Sequence, residues 1–403
     1  MKIILLRKIN PYFESSASGN RFSSIIDGLI SEGVHVVLIV TGGYNSIEEF
    51  KLKGIKEHNK QIKIKYTVFA FYHTVWFRRL NLYLLSGLLS LISSCRLKQL
   101  LKDKCDFLWL TKDTFVLNFF NKYHSLFTNK TIIELNEFND VYKTDELLTN
   151  SLQKNQTIKE DKVFIEVINK IDIFVIMTQT LISHYHKLTT NENALFFHFP
   201  MTVNMKRFDE KKETSKYKKP YIAFTGTHSN RKDGVDVLIK AFAKLSDSYP
   251  DYHLYLAGFY HPDVIQQKEM IKKYQLQDRI IYLGVLDKEQ IPELIQNADL
   301  LVLSRPDSHQ AQGGFPTKLG EYLATGNPVC VTKVGEIPMY LQDNVSAFLS
   351  SPGNVDSFAD SMERALSNIE NARKVGQCGK EVANECFNAE VQAKRLINFL
   401  ENV

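Results

Sequence analysis

Residues 221–242 read YIAFTGTHSNRKDGVDVLIKAF, and this stretch decides the fold. It begins with a mostly apolar run, Tyr221–Thr225, passes through polar residues around Gly226, and becomes amphipathic from Val235 onward. A short continuous apolar run followed by an amphipathic run predicts a strand buried on both faces and then a helix. The stretch is therefore one β–α unit of a parallel sheet.

The same alternation continues on both sides of this unit. Further apolar runs occur at residues 3–6, 34–40, 107–110, 131–135, 173–177, 254–257, 280–283, 300–303 and 329–332. Amphipathic stretches separate them, as in a doubly wound sheet with helices on both faces. We therefore predict an α/β chain with two Rossmann-like doubly wound parallel-sheet domains that face a central cleft.

A charged segment marks the boundary between the domains. Residues 205–220 read MKRFDEKKETSKYKKP and contain no apolar run. We expect a first domain over residues 1–201, a linker over 202–220, a second domain over 221–385 and a C-terminal helix within 386–403.

Composition narrows the class of protein. The 403 residues are 44% hydrophobic and 24% charged, with a mean hydropathy of −0.20, so a disordered, collagen-like or polytopic membrane protein is excluded. Five scattered cysteines without C-x-x-C spacing indicate a reducing compartment without disulfides or a zinc site. The opening MKIILLRK is too short for a signal peptide. We expect a cytoplasmic protein.

Charge is concentrated near the N-terminus. Residues 1–130 contain 19 basic and 9 acidic side chains, a balance of +10. Such an excess attracts phosphate groups of a lipid-linked substrate or of an anionic bilayer at the inner face of the membrane. The alternative is that the lysines of residues 51–65 simply form a solvated surface. The sequence has no nucleic-acid-binding motif, and we expect no such partner.

Residues 80–97, LNLYLLSGLLSLISSCRL, are apolar but interrupted by polar residues. The densest part is about half of the ~20 residues that a membrane-spanning helix requires. We favour a buried core helix. The alternative is an interfacial helix on an anionic membrane, since basic residues flank the segment.

Residues 313–329, GGFPTKLGEYLATGNPV, predict a ligand site. Pro316 suits the first position of a helix, and Gly326 suits the position just after its end. The free amides of Thr317 and Lys318 would then face a ligand at the positive end of the helix dipole. This arrangement predicts binding of a phosphate or diphosphate, with the Lys318 ammonium as an additional charge.

This segment resembles the donor-site signature of retaining GT-B-fold glycosyltransferases of family 4, the glycosyl transferases group 1. That signature has two glutamates eight positions apart, with Phe-Gly between them. Phe315 and Glu321 fall on it, whereas Gly313 replaces the first glutamate and Pro316 replaces the glycine. The resemblance implies that Glu321 accepts hydrogen bonds from ligand hydroxyls. The amides of Gly313, Gly314 and Phe315 would substitute for the missing carboxylate.

Residues 225–242 resemble the family's strand, glycine loop and helix. Gly226 is the loop glycine, Lys232 matches a lysine that clamps the diphosphate, and Thr227 stands at the usual arginine position. The resemblance therefore implies catalytic roles for Lys232, Lys318 and Glu321. It also implies that Val285 and Leu286 lie near the nucleobase.

The first half resembles the family more loosely. Gly19, Asn20 and Arg21 stand where the family has an opening glycine loop, on the acceptor side. The carboxylates of Glu134 and Glu137 would orient acceptor hydroxyls, or alternatively cap the next helix. By the same analogy the C-terminal helix packs back on the first domain.

Together these features predict an enzyme of EC 2.4, a hexosyltransferase-type glycosyltransferase. The donor is a nucleotide-diphosphate sugar, and the acceptor is a glycan or lipid-linked molecule in surface polysaccharide or glycoconjugate assembly. Retention is implied by the resemblance alone. The chain has no D-x-D triplet, so we expect no metal and no cofactor. The alternatives are a GT-B-fold epimerase or phosphorylase, and a non-catalytic nucleotide-sugar-binding partner that lost turnover through Gly313.

Overall fold

The computed structural model describes residues 1–14, 16–51, 62–72, 74–81, 85–127, 129–139, 151–209 and 216–403. The chain divides into two compact units. Unit 1 comprises Met1–Pro200 and Gln392–Val403, and unit 2 comprises Met201–Val391. Each unit contains one parallel sheet with its strands in doubly wound order. The predicted α/β class with two Rossmann-like sheets is confirmed.

The sheet of unit 1 has the strand order β3-β2-β1-β4-β5-β6-β7. Its described strands are β1 (Lys2–Arg7), β2 (His35–Val40), β3 (Ile62–Tyr66), β4 (Phe107–Leu110), β5 (Lys130–Leu135), β6 (Ile173–Ile176) and β7 (Leu195–His198). Most of the inner strands are fully buried, as the continuous apolar runs predict. The sequence predicts no strand at the edge strand β3, whose lysines fall in the charged run 51–65. This strand alternates Ile and Lys because it lies at the edge of the sheet.

Helices cover both faces of this sheet. They are α1 (Ala17–Ser31), α2 (Ile47–Lys51), α3 (Val75–Arg79), α4 (Ser86–Leu100), α5 (Thr114–Tyr123), α6 (Ser151–Val167) and α7 (Gln179–Leu188). One face has a core around Phe164 and Phe174. The core of the other face includes Ile25 and Trp109, together with Leu396 from the C-terminal segment.

Helix α4 corrects one expectation. The apolar segment 80–97 is predicted to be a buried core helix, but within α4 only Ser93 and Leu97 are buried. Leu88, Leu91 and Ile92 are 56%, 68% and 45% exposed. The reason is that α4 lies beside the outer part of the sheet, where just one narrow side of a helix has a surface to cover.

The sheet of unit 2 has the order β10-β9-β8-β11-β12-β13. Its strands are β8 (Tyr221–Thr225), β9 (His253–Ala257), β10 (Ile280–Gly284), β11 (Leu300–Leu303), β12 (Val329–Thr332) and β13 (Phe348–Ser350). Strand order reverses between β8 and β11, so the loops that follow these two strands diverge and leave room for a ligand.

The remaining helices follow in chain order. They are α8 (Asn230–Asp233), α9 (Val235–Leu245), α10 (Val264–Lys273), α11 (Ile291–Gln296), α12 (His309–Gly313), α13 (Thr317–Ala324), α14 (Ile337–Tyr340), α15 (Val355–Ser367), α16 (Ile369–Val382) and α17 (Ala389–Leu400). Part of the predicted linker, Met205–Phe208, forms a 3₁₀ turn, while residues 210–215 lie outside the described residues. Among the described helices, none is both long and apolar enough to cross a bilayer.

Candidate functional site

The candidate site lies at the carboxyl ends of β8 and β11. Gly226 follows β8 with a φ of 146°, a conformation that residues with a side chain rarely adopt. A Cβ built on Gly226 would stand 2.0 Å from Nζ of Lys318. The φ of residue 226 therefore favours glycine, and the Lys318 ammonium lies close to this backbone.

Lys318 is held beside Gly226 by an ion pair. Its Nζ lies 2.9 Å from Oδ1 of Asp233, and 17% of the Lys318 side chain and 5% of the Asp233 side chain are exposed. Burial lowers the pKa of Lys318, the Asp233 carboxylate opposes that shift, and the charges of Lys232 and Arg305 add to it. The ammonium is thus short of negative partners.

Arg305 is a second buried cation at this place. It follows β11, is 8% exposed, and its pKa is lowered by burial, with Asp233 acting in the opposite direction. Its Nη2 donates a long hydrogen bond of 3.4 Å to the Gln310 carbonyl. Within the described part of the chain its Nε has no hydrogen-bond partner.

Lys232 contributes charge from the surface. The residue is exposed on the one-turn helix α8, and its amide donates to the Ser229 hydroxyl. Asp233, the next residue, turns inward, since Gly234 ends the turn with a φ of 68°. Lys318, Arg305 and Lys232 thus contribute three positive charges to this region, where Asp233 pairs with Lys318 and also acts on Arg305.

The N-terminus of α13 adds backbone donors to this cluster. Pro316 occupies the N-cap position, one residue before the predicted place, and offers no side-chain oxygen to cap the amides of Thr317 and Lys318. The Thr225 amide donates to the buried Tyr322 hydroxyl at 2.7 Å, which fixes α13 against the end of β8. The predicted anion site is thereby brought together with Gly226.

The Gly313–Phe315 segment differs from the prediction. The Gly314 amide donates to the Gln310 carbonyl at the end of α12. It is already used there, so its predicted role in place of the missing glutamate conflicts with the structure. Gly313 is buried as the last residue of α12. The Phe315 ring packs with Tyr340 and Phe387, so the side chain stabilises the fold behind the site.

Glu321 is held one turn into α13. Its Oε1 lies 2.5 Å from Nη1 of Arg207, and both side chains are largely buried. The guanidinium also donates to the Lys288 carbonyl at 3.3 Å. Arg207 comes from the segment 202–220, which the sequence predicts to be a linker. Because Arg207 pairs with one carboxylate oxygen, the other remains an acceptor.

The remaining donor-side residues lie at neighbouring loops. Thr227 is half-buried immediately after Gly226, and Leu286 is half-buried after β10. Val285 is 54% exposed, as is Phe259 after β9. An exposed apolar rim therefore follows β9 and β10, the next strands along the sheet from β8.

Two acceptor-side predictions conflict with the structure. Arg21 Nε lies 2.6 Å from Oε1 of Glu134, and both side chains are almost completely buried. Arg21 also donates to the carbonyls of Phe199 and Pro200. These groups cannot meet a ligand because their hydrogen bonds hold α1, β5 and the end of β7 together.

The other acceptor-side residues have separate environments. Gly19 lies inside α1, where a Cβ would stand 2.4 Å from the Glu14 carbonyl. Asn20 is half-buried in the same helix, and Glu137 is exposed. The next described helix after Glu137 is α6, which begins at Ser151, and residues 140–150 between them lie outside the described residues. The structure therefore does not gather these five residues into one site.

Sequence reasoning missed Asp233, Arg305 and Arg207. Asp233 follows Lys232 directly, and its inward direction depends on the left-handed Gly234. Arg305 follows a fully buried strand, and a charged residue at that end of a parallel strand is a signal that could have found it. No sequence feature identifies Arg207, because a charged segment does not show which of its residues pairs with a distant carboxylate such as Glu321.

The match to a known protein family lies within unit 2. Residues 205–382 match the family model of glycosyl transferases group 1. The chain is 31% identical over 157 residues to N-acetyl-alpha-D-glucosaminyl L-malate synthase of Bacillus anthracis, which covers 39% of each protein. It is 27% identical over 159 residues to the phosphatidylinositol N-acetylglucosaminyltransferase gpi3 subunit of Schizosaccharomyces pombe, covering 40% of this chain and 31% of that one. The chain thus matches less than half the length of these curated relatives.

The structural likeness extends further than the sequence match. Anabaena Alr3699/HepE in complex with UDP and glucose aligns over 100% of both chains, with a TM-score of 0.69 and 15% identity. At 15% sequence identity, this similarity is evidence for a shared fold alone. The predicted GT-B fold is confirmed.

Proposed function

We propose that the protein is a glycosyltransferase that uses a nucleotide-diphosphate sugar, because residues 205–382 match the family model of glycosyl transferases group 1. The observation that carries the proposal is the surplus of positive charge at the N-terminus of α13. Lys318, Arg305 and Lys232 outnumber Asp233 by two charges. Partly buried cations without matching anions favour an anionic ligand.

The diphosphate fits this place for three reasons. Uncapped helix amides at Thr317 and Lys318 bind phosphate oxygens. The absence of a side chain on Gly226 leaves room for the Lys318 ammonium beside the backbone at the start of α13. The ammonium of Lys318, held by Asp233, then needs no reorganisation when the ligand arrives.

The same cations assist the reaction. When the bond between the sugar C1 and the β-phosphate oxygen breaks, its electron pair stays on the phosphate. An acceptor hydroxyl oxygen bonds to C1, and its proton passes to the departing diphosphate. Lys318 and Lys232 stabilise the charge that develops on the leaving diphosphate, and Arg305 adds to the same field. Glu321 accepts hydrogen bonds from donor hydroxyls. Retention rests on the family resemblance.

The clamp makes a metal unnecessary in this proposal. Asp233 is already paired with Lys318, and the surrounding groups are cationic, so the cluster repels a divalent ion. Excess EDTA is therefore expected to leave transfer unchanged.

The acceptor is proposed to be a glycan or lipid-linked molecule in surface polysaccharide or glycoconjugate assembly at the cytoplasmic face of a membrane. The support is the balance of +10 in residues 1–130. In addition, the printed name of the S. pombe relative includes a phosphatidylinositol acceptor.

A thermal-shift screen tests the donor proposal first. UDP, GDP, ADP, CMP and their sugars are compared, since a ligand that binds the folded state raises the melting temperature. The nucleotide sugar that stabilises the protein is then incubated with acceptor extracts, and released nucleotide is measured. Release that depends on acceptor supports transfer. Epimerised donor without net release indicates the epimerase alternative, and binding without turnover indicates a non-catalytic partner.

A further inference from the structure

Helix α4 carries an apolar stripe on its solvent side. Leu88, Leu91, Ile92 and Cys95 are all exposed. Their spacing of i, i+3, i+4 and i+7 puts them on one face of the helix. We call these four residues the outer stripe. Such a stripe normally faces a core.

On its opposite side, α4 is hydrogen-bonded to the rest of unit 1 through Ser93. The Ser93 hydroxyl is 2.6 Å from that of Thr67 and donates to the Thr41 carbonyl. Leu97, one turn later, is completely buried. The helix thus places a buried serine toward the sheet and three large apolar side chains toward solvent. Burial of apolar side chains within unit 1 would favour the opposite orientation.

The outer stripe continues into a larger apolar surface. A shallow cavity of about 620 Å³ is lined by Leu91, Ile92, Cys95 and Arg96 with Gln99 and Leu100. A neighbouring cavity of about 360 Å³ shares Arg96 and Leu100 and also contacts Phe69, which is 61% exposed.

A chain of aromatic ring contacts connects Phe69 to helix α3. The rings of Phe69 and Phe71 are 5.4 Å apart, those of Phe71 and Phe77 are 6.3 Å apart, and those of Phe77 and Trp76 are 5.0 Å apart. Trp76 is 65% exposed. We call the outer stripe together with Phe69 and Trp76 the apolar face.

The charge around the apolar face is mostly positive, with Asp103 paired at 3.1 Å to Lys65, which lines the smaller cavity. Residues 62–102 contain seven basic and no acidic side chains. Arg79, Arg96 and Lys98 are exposed at or beside the face. Lys98 is held over the Tyr123 ring at 3.8 Å. An apolar face with a basic border is complementary to the apolar interior and anionic headgroups of a bilayer.

We propose that the apolar face binds the surface of an anionic phospholipid bilayer, with the outer stripe and Trp76 at the depth of the headgroups and the flanking basic residues on lipid phosphates. The 15 residues of α4 extend ~22 Å, less than the ~30 Å hydrocarbon core, so the helix lies along the surface. This property goes beyond the proposed transfer reaction and requires no donor.

Co-sedimentation with vesicles tests the proposal. The full chain is mixed with vesicles of phosphatidylcholine, alone or with an equal part of phosphatidylglycerol. Binding is expected with the mixed vesicles and at least about tenfold weaker with phosphatidylcholine alone or in high salt. The variant Leu91→Glu/Ile92→Glu is expected to bind at least about tenfold more weakly. The matched control Ile265→Glu changes a residue that is 71% exposed in unit 2 and should bind as the parent does.

Tryptophan fluorescence gives an independent readout. The chain has two tryptophans, and Trp109 is completely buried, so quenching by brominated lipid reports on Trp76. Failure of the parent to bind the anionic vesicles, or equal binding by the double glutamate variant, would overturn the proposal. A concentration-dependent dimer that the double variant abolishes would do the same, since it would assign the face to a second copy. None of these outcomes affects nucleotide binding, which is measured separately.

Discussion

Lys318 is the residue on which the proposed donor site depends. Burial disfavours its charged form, Asp233 favours it, and a bound diphosphate would favour it further. Its ammonium rests where a Cβ on residue 226 would be. A buried cation of this kind, close to where the leaving group gains charge, stabilises the transition state more than an exposed cation does.

Replacing Lys318 with Ala is therefore expected to lower kcat at least about tenfold. Lys232→Ala should cost less, because Lys232 is exposed and screened by water. Lys240→Ala is the matched control, since it also removes one partner of a lysine–aspartate pair in unit 2. Steady-state kinetics with the donor found in the screen measures all three. Normal turnover by Lys318→Ala would remove this lysine from the mechanism.

At the residue scale the sequence identified part of the cluster. Gly226 and Lys318 were found because a glycine after a strand and a lysine at a helix start have local signatures. The sequence does not identify Asp233 and Arg305. Their side chains come together only because β8 and β11 pair in the sheet, which brings the loops after these two strands next to each other.

Helix α13 shows how an element is positioned by a distant segment. Arg207 lies 114 positions before Glu321, yet the two form a largely buried pair at 2.5 Å. The arginine also reaches the Lys288 carbonyl. Arg207 is thus a positioning residue for the Glu321 carboxylate.

Arg207→Ala is expected to weaken donor binding about fivefold to tenfold with a smaller effect on kcat, since Glu321 loses its fixed orientation. Glu321→Ala should act in the same direction. Because the two residues act as a unit, the double variant should be no worse than Glu321→Ala. Calorimetric titration with donor measures the effect. Tighter donor binding by Arg207→Ala would mean that the arginine competes with the donor instead.

Arg21 and Glu134 link α1 to β5 in unit 1. Arg21→Met would leave the Glu134 carboxylate buried and unpaired, and is expected to cost about 3–5 kcal/mol of stability. Lys374→Met, which breaks an exposed pair within α16, should change stability by less than about 0.5 kcal/mol. Urea unfolding of both variants provides the comparison. Equal stabilities would contradict the structural role and return Arg21 to the acceptor-site candidates.

At the element scale, continuous apolar runs predict the inner strands well. A strand that is buried on both faces has no solvent-facing position for a polar residue, so its sequence is apolar throughout. Strand β3 was missed since its exposed lysines resemble a solvated segment. Helix α4 was placed in the core because composition does not indicate which face of a helix meets the sheet. Its contacts through Ser93 decide that.

At the scale of the whole molecule, charge and chemistry are divided between the two units. The cluster of Lys318, Asp233, Arg305 and Lys232, proposed to bind the donor, lies entirely in unit 2. The basic excess of residues 1–130 and the apolar face lie in unit 1. This division is consistent with a donor site in one unit and contacts to lipid in the other.

The most direct test of the donor site compares nucleoside diphosphate and nucleoside monophosphate binding by calorimetry. The nucleotide base is the one selected by the thermal-shift screen, and the proteins are the parent and Lys318→Ala. If Lys318 holds the β-phosphate, the variant should lose at least about tenfold in affinity for the diphosphate and little for the monophosphate. Unchanged diphosphate affinity, or equal losses for both nucleotides, would contradict the account.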